Sequence, residues 1–132
     1  MGSEGKVLPI TCAACSKILT LNQKIDGHIA EFSANRFGSR FIQDKLQSAS
    51  SEEKEKVFRE LMDELAPLMT DVYGNYVVQK FLEHGTNEQR TCMANVMKPI
   101  MMRLSENKYG CRVVQKVSPI CSSIRIIELE LI

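Results

Sequence analysis

A period of 36 residues governs this chain. Laying residues 29–64 over 65–100 and over 101 onward brings Gly38, Gly74 and Gly110 into one column. An aromatic residue precedes each: Phe37, Tyr73 and Tyr109. Five residues after each glycine stands a glutamine: Gln43, Gln79 and Gln115. The apolar pairs Phe41-Ile42, Val77-Val78 and Val113-Val114 lie between. Lys80 and Lys116 share a column in which the first unit has Asp44, and Leu46 and Leu82 share one in which the third has Ser118. A unit of this size cannot bury its apolar side alone, whereas stacked copies can. The period therefore points to a solenoid.

Helix-start signals recur on the same offset. Ser50-Ser51-Glu52-Glu53 reads as a capping box, and Thr86-Asn87-Glu88-Gln89 repeats it one period later. Ser122 holds the cap position in the third unit, with Arg125 in place of the acidic or amide partner. Helices are expected over about residues 52–64 and 88–98. Their apolar residues (Val57, Leu61, Leu65; Met93, Val96, Met97) recur at helical spacing. Pro67 and Pro99 mark the junctions between units, where a helix can start but not continue. Pro119 is expected to stop the preceding helix near Ser118. Each unit should thus hold a short first helix, a glycine-marked turn, a second helix and a third, longer one. No segment shows the alternation of a strand. The expected fold is all-α: a right-handed α-solenoid (an armadillo-like α-α superhelix) of three three-helix repeats. Their bounds are about 29–64, 65–100 and 101–132, the last divergent, after an N-terminal extension or partial cap over 1–26.

Composition excludes several classes. Hydrophobic residues are 44% of the 132, enough for a packed core, and no run approaches the roughly 20 apolar residues of a membrane span. Net charge is +1, so nucleic-acid binding would need positive charge sorted onto one face. The five cysteines, an odd number without framework spacing, read as reduced thiols of an intracellular protein, and no secretory signal is visible. Cys12-Ala-Ala-Cys15 lacks the second ligand pair that a metal site requires. His28 and His84 read as surface or capping residues. No nucleophile–base pair, phosphate loop, cofactor motif or metal constellation is present, so no enzyme is expected.

On a helical wheel with Asn75 at zero, Gln79 falls about 40° away, Tyr76 about 100° and Lys80 about 140°. Val77, Val78, Phe81 and Leu82 fill the opposite arc. Ser39, Arg40, Gln43 and Asp44 take the matching places in the first unit, and Cys111, Arg112, Gln115 and Lys116 in the third. Each unit is therefore expected to expose two polar side chains one turn apart, with a flat side chain beside them. Such a pair can meet the edge of a base, and Tyr or Arg planes can stack on its face. A solvated polar helix face is the plain alternative. Charge is partly sorted: the second helices lean positive, and the third helices are mixed or acidic.

These residues carry a family likeness. The runs Asp71-Val-Tyr-Gly-Asn-Tyr-Val-Val-Gln-Lys80, Lys108-Tyr-Gly-Cys-Arg-Val-Val-Gln-Lys116 and Phe37-Gly-Ser-Arg-Phe-Ile-Gln43 resemble the cores of Pumilio-type repeats. Gly27-His-Ile-Ala-Glu-Phe-Ser33 resembles the start of that family's first repeat, and the three cores follow the order of its first three. The resemblance implies that each second helix contacts one RNA base. Its first and fifth positions would read the base edge, and its second would stack. Ser39 with Gln43 resembles an adenine-reading pair, with Arg40 stacking. Asn75 with Gln79 resembles the uracil pair, with Tyr76 stacking. Cys111 with Gln115 resembles another adenine pair, with Arg112 stacking, although a lone cysteine is more often a small packing residue.

Because the family binds RNA antiparallel to its repeats, the implied element is 5′-A-U-A-3′. It would lie in the 3′ untranslated region of messenger RNA, and the implied role is cytoplasmic control of translation and mRNA stability. Three stacked bases supply roughly 3–9 kcal/mol gross, which implies micromolar to millimolar binding after association costs. The family normally carries about eight repeats, against three here. Two other readings use the same residues. One is a helical scaffold that binds protein alone through its convex face and apolar C-terminal residues. The other is a truncated, non-functional isoform.

Overall fold

A computed structural model of the chain describes residues 27–117. Among these the regular elements are eight α-helices and one 3₁₀ turn, without a strand. The first unit holds α1 (Ile29–Ser33), α2 (Arg36–Ser48) and α3 (Ser51–Asp63). The second holds α4 (Leu65–Met69), α5 (Gly74–His84) and α6 (Asn87–Met97). A 3₁₀ turn (Lys98–Ile100) leads into α7 (Met101–Glu106) and α8 (Gly110–Val117) of the third. The expected cap at Ser122, the stop at Pro119 and the Cys12–Cys15 pair lie outside the described residues. The third helix is no longer than the second: both have 13 residues in the first unit and 11 in the second.

Both expected capping boxes form. Ser50 Oγ accepts the Glu53 N–H at 3.2 Å, and Glu53 Oε1 accepts the Ser50 N–H at 2.9 Å. Thr86 and Gln89 repeat this at 3.1 and 3.0 Å. A cap stands immediately before the first helical residue, so α3 and α6 begin one residue earlier than expected. The second helices have a cap of their own, absent from the sequence reading. Asn35, Asp71 and Asn107 each stand three residues before a column glycine. In each, one side-chain oxygen accepts two backbone N–H groups, those of the aromatic residue and the glycine, at 2.7–3.1 Å. The signal was a recurring Asn or Asp at a fixed offset.

The three column glycines are helical rather than turn residues; among the described glycines only Gly27 has a positive φ, at 86°. Their role is close approach. A Cβ on Gly38 would sit 2.3 Å from the Phe32 carbonyl oxygen, and one on Gly110 would sit 2.7 Å from the Leu104 carbonyl oxygen. At Gly74 the nearest atom would be Leu68 Cδ2, at 2.7 Å. Glycine thus lets the first helix of each unit press against the second.

The second helices α2, α5 and α8 pack side by side, and the first helices pack on them within each unit. Ile42, Leu46, Val77, Phe81, Leu82, Val113 and Val117 from this ladder are fully buried. Phe81 stacks on Phe58 of α3, with ring centroids 5.9 Å apart. Between the third helices, Gln89 Nε2 donates to Glu55 Oε1 at 2.9 Å. The result is the expected helical solenoid. Among the described residues no helix is long and apolar enough to cross a membrane.

Candidate nucleic-acid interface

The side chains left over by this packing gather along one ladder. Tyr76 and Gln79 of α5 face Arg112, Gln115 and Lys116 of α8 across an open groove of about 440 Å³. Among the described residues no carboxylate lines it. A larger depression, about 630 Å³, lies between the first helices of units one and two and is lined by Glu31, Glu60, Asp63, Glu64 and Asp71. Size favours the second as a binding site, but charge decides against it for a polyanion. Five carboxylates repel phosphate, whereas the smaller groove offers cations, amides and an aromatic face.

The three stacking candidates Arg40, Tyr76 and Arg112 are exposed as expected. The fifth-position glutamines are half-buried (Gln43, Gln79) or exposed (Gln115). The first positions differ from expectation. Ser39 is 2% exposed and Asn75 is fully buried, and only Cys111 is partly open to solvent. Their hydrogen bonds explain why. Ser39 Oγ donates to the Tyr73 carbonyl of the next unit at 2.9 Å and accepts from Gln43 Nε2 at 3.0 Å. Asn75 Nδ2 donates to the Asp71 and Val72 carbonyls at 2.8 and 3.1 Å, and its Oδ1 accepts from Gln79 Nε2 at 2.9 Å. In the third unit Cys111 Sγ lies 3.5 Å from the Lys108 carbonyl. A single-helix wheel cannot foresee this, because the neighbouring unit covers part of the face that the wheel counts as open.

The buried residue therefore aims the glutamine above it. With Nε2 of Gln79 tied to Asn75, its Oε1 and remaining N–H stand clear as an acceptor and a donor. The stacking side chains also meet: Arg112 Nη1 donates to the Tyr76 hydroxyl at 2.8 Å. Arg40 lies 3.7 Å from Asp44 on its own helix. Among the described residues no group of three or more His, Cys, Asp or Glu could hold a metal ion.

Among the described residues two carboxylates titrate below the ordinary glutamate value near 4.5. Glu83 is held low by its hydrogen bond to Lys116 and by the charges of Lys116, Lys80 and His84, against the opposing effect of burial. Glu55 is held low by hydrogen bonds from Gln89 and Arg59. The strongest of these bonds, Lys116–Glu83 and Gln89–Glu55, both cross between units. A depressed folded-state value means that the unfolded chain takes up the proton first as pH falls. The stabilisation is complete above the ordinary value and is lost as pH drops through the depressed one. The thermal midpoint of Glu83→Gln is thus expected to lie below wild type at pH 6 and to converge with it as pH falls well below the ordinary glutamate value. A constant gap across that range would refute the link.

Comparison with known proteins agrees with this geometry. The Pumilio-family RNA binding repeat matches residues 28–62, 65–97 and 101–117, one match per unit. The chain is 47% identical over 94 residues to Pumilio homolog 1 of Xenopus laevis, covering 71% of this chain and 8% of that protein. It is 44% identical over 73 residues to the mRNA-binding protein puf3 of Schizosaccharomyces pombe, covering 54% of this chain and 10% of that one. Among solved structures it is similar to the Puf3 RNA binding domain bound to a Cox17 RNA 3′ UTR recognition sequence. The TM-score there is 0.82 at 42% identity, covering 89% of this chain and 34% of that domain. For PUF-8 in complex with PBE-RNA the TM-score is 0.73 at 34% identity, covering 81% of this chain and 31% of that one. The chain spans about a third of these solved domains and about a tenth of the curated proteins. With three repeats matched in register and glycines, caps and glutamines in the same columns, the chain belongs to the Pumilio family of RNA binding repeat proteins.

Proposed function

We propose that this chain binds single-stranded RNA selectively, one base per unit, at an AUA-type element of an mRNA 3′ untranslated region. It serves post-transcriptional control in the cytoplasm, by binding rather than catalysis. The observation that carries this reading is the groove between α5 and α8. It combines two glutamine amides, an exposed tyrosine ring, an exposed guanidinium and a lysine, with no carboxylate among the described residues of its lining. Tyr76 and Arg112 supply planes for stacking, and Gln43, Gln79 and Gln115 supply edge contacts. Ser39 and Asn75 act chiefly by holding Gln43 and Gln79 in orientation; Cys111 leaves room for a purine above Gln115.

The test is fluorescence anisotropy of the purified chain with a short RNA containing UAUA, against the same RNA with its AUA core changed to CCC. Micromolar to millimolar affinity with preference for the first is expected. Tyr76→Ala should remove roughly 1–3 kcal/mol, about fivefold to 150-fold in affinity. The pair Asn75→Ser, Gln79→Glu should move the preference at the central base from uracil to guanine. There a serine hydroxyl would orient the new carboxylate as Asn75 now orients the amide. Equal binding of both RNAs by a chain that circular dichroism shows to be helical would sink this reading and favour a protein-binding scaffold.

A further inference from the structure

The lysine column of the second helices is not free. Lys80 Nζ lies 3.6 Å from Glu83 Oε1, and Lys116 Nζ pairs with Glu83 Oε2. His84 Nε2 lies 3.8 Å from Glu83 Oε1. One carboxylate thus engages the lysine of its own helix with one oxygen and that of the neighbouring helix with the other. Lys116 also lines the groove with Tyr76 and Arg112. Glu83 departs from the repeat: Gln47 and Pro119 occupy its column in the other units. The acid is therefore no general requirement of the helix, but is placed where two lysines of adjacent units converge.

Resting on the RNA reading above, we infer that Glu83 is an internal counter-charge that occupies Lys80 and Lys116 and withholds them from RNA phosphate. Phosphate contacts supply affinity that is blind to sequence, and they draw it from the release of counterions on the RNA. A lysine already neutralised by Glu83 would only exchange one anion for another, with little net gain, and so stays with Glu83. Holding both lysines this way suppresses indiscriminate binding and leaves selection to the glutamines and stacking planes. Glu83 acts through the lysines and touches no base; it is a specificity-setting residue.

The experiment compares wild type, Glu83→Gln and Glu88→Gln, the last making the same charge change at an exposed site near the start of α6. Anisotropy is read with the UAUA and CCC-core RNAs at several salt concentrations. Each added phosphate contact steepens the slope of log affinity against log salt by about 0.7 for a single strand. Glu83→Gln is expected to steepen it by about 1.4. Its advantage over Glu88→Gln should then fall about sevenfold between 50 and 200 mM salt. It should also bind both RNAs more tightly at low salt, with a smaller ratio between them. A slope equal to that of Glu88→Gln overturns the inference, because a purely structural Glu83 would change stability without changing the slope. A shallower slope overturns it too, since Glu83 would then be presenting Lys116 to phosphate. Should wild type bind neither RNA, the functional reading falls by itself, and elution from heparin-agarose decides the counter-charge. Elution of Glu83→Gln later than Glu88→Gln upholds it, and co-elution overturns it.

Discussion

Phe81→Ala is expected to lower the unfolding free energy by about 3–5 kcal/mol. Phe81 is fully buried on α5, and its ring stacks on Phe58 of the preceding unit, 5.9 Å away. The substitution removes the aromatic ring's apolar contacts and leaves a void bounded by two units. Such a loss is a large fraction of the roughly 5–15 kcal/mol that typically separates a folded domain from its unfolded chain. Solenoid stability is approximately a sum of unit terms and nearest-neighbour terms, so an interface residue weakens the coupling that makes the units fold together. Urea denaturation followed by circular dichroism would show a lower midpoint and a broader transition. Phe81→Leu, which keeps most of the volume, should cost less than about 1.5 kcal/mol. If alanine cost no more than leucine, the ring would not be holding the two units together.

The second large effect is Gly38→Ala. Replacing a helix-interior glycine by alanine ordinarily stabilises by about 1 kcal/mol, because glycine loses more freedom on folding. Here the sign should reverse. The added Cβ would lie 2.3 Å from the Phe32 carbonyl oxygen, a backbone atom that cannot swing aside. Destabilisation of about 1–3 kcal/mol, or more, is expected. Gly110→Ala meets a backbone oxygen at 2.7 Å and should cost somewhat less. Gly74→Ala first meets the end of the Leu68 side chain and should be the mildest. The order of the three denaturation midpoints tests the argument; a stabilised Gly38→Ala would end it.

Much of the architecture was legible because repetition amplifies weak local signals. One Ser-x-x-Glu is a modest cue, but the same cue 36 residues on, beside matching glycine and glutamine columns, fixes the unit. The Asn35, Asp71 and Asn107 column was equally available, since those caps are local to each unit. What could not be read depends on neighbours. The burial of Ser39 follows from the carbonyl of Tyr73, 34 residues away, which no single-helix wheel contains. The Glu83–Lys116 pair joins helices of different units, and the glutamate breaks the repeat, so superposing the units hides it. The glycine columns were legible as positions, but their cause, a first helix pressed on a second, is a three-dimensional fact.

The bond from Ser39 to the Tyr73 carbonyl also bears on how freely the units can be rewritten. If each unit reads one letter, the natural ambition is to swap letters at will. Among the described residues Asn75 is tied within its own unit, through Asp71, Val72 and Gln79, so the seat of its glutamine is self-contained. Ser39 is tied forward to the backbone of the next unit, so its letter is partly spelled by its neighbour. Recoding the first unit therefore disturbs the seat of the second, while recoding the second leaves that seat intact. The text such a protein reads has kerning as well as letters: one hydroxyl sets the fit between its first symbol and its second.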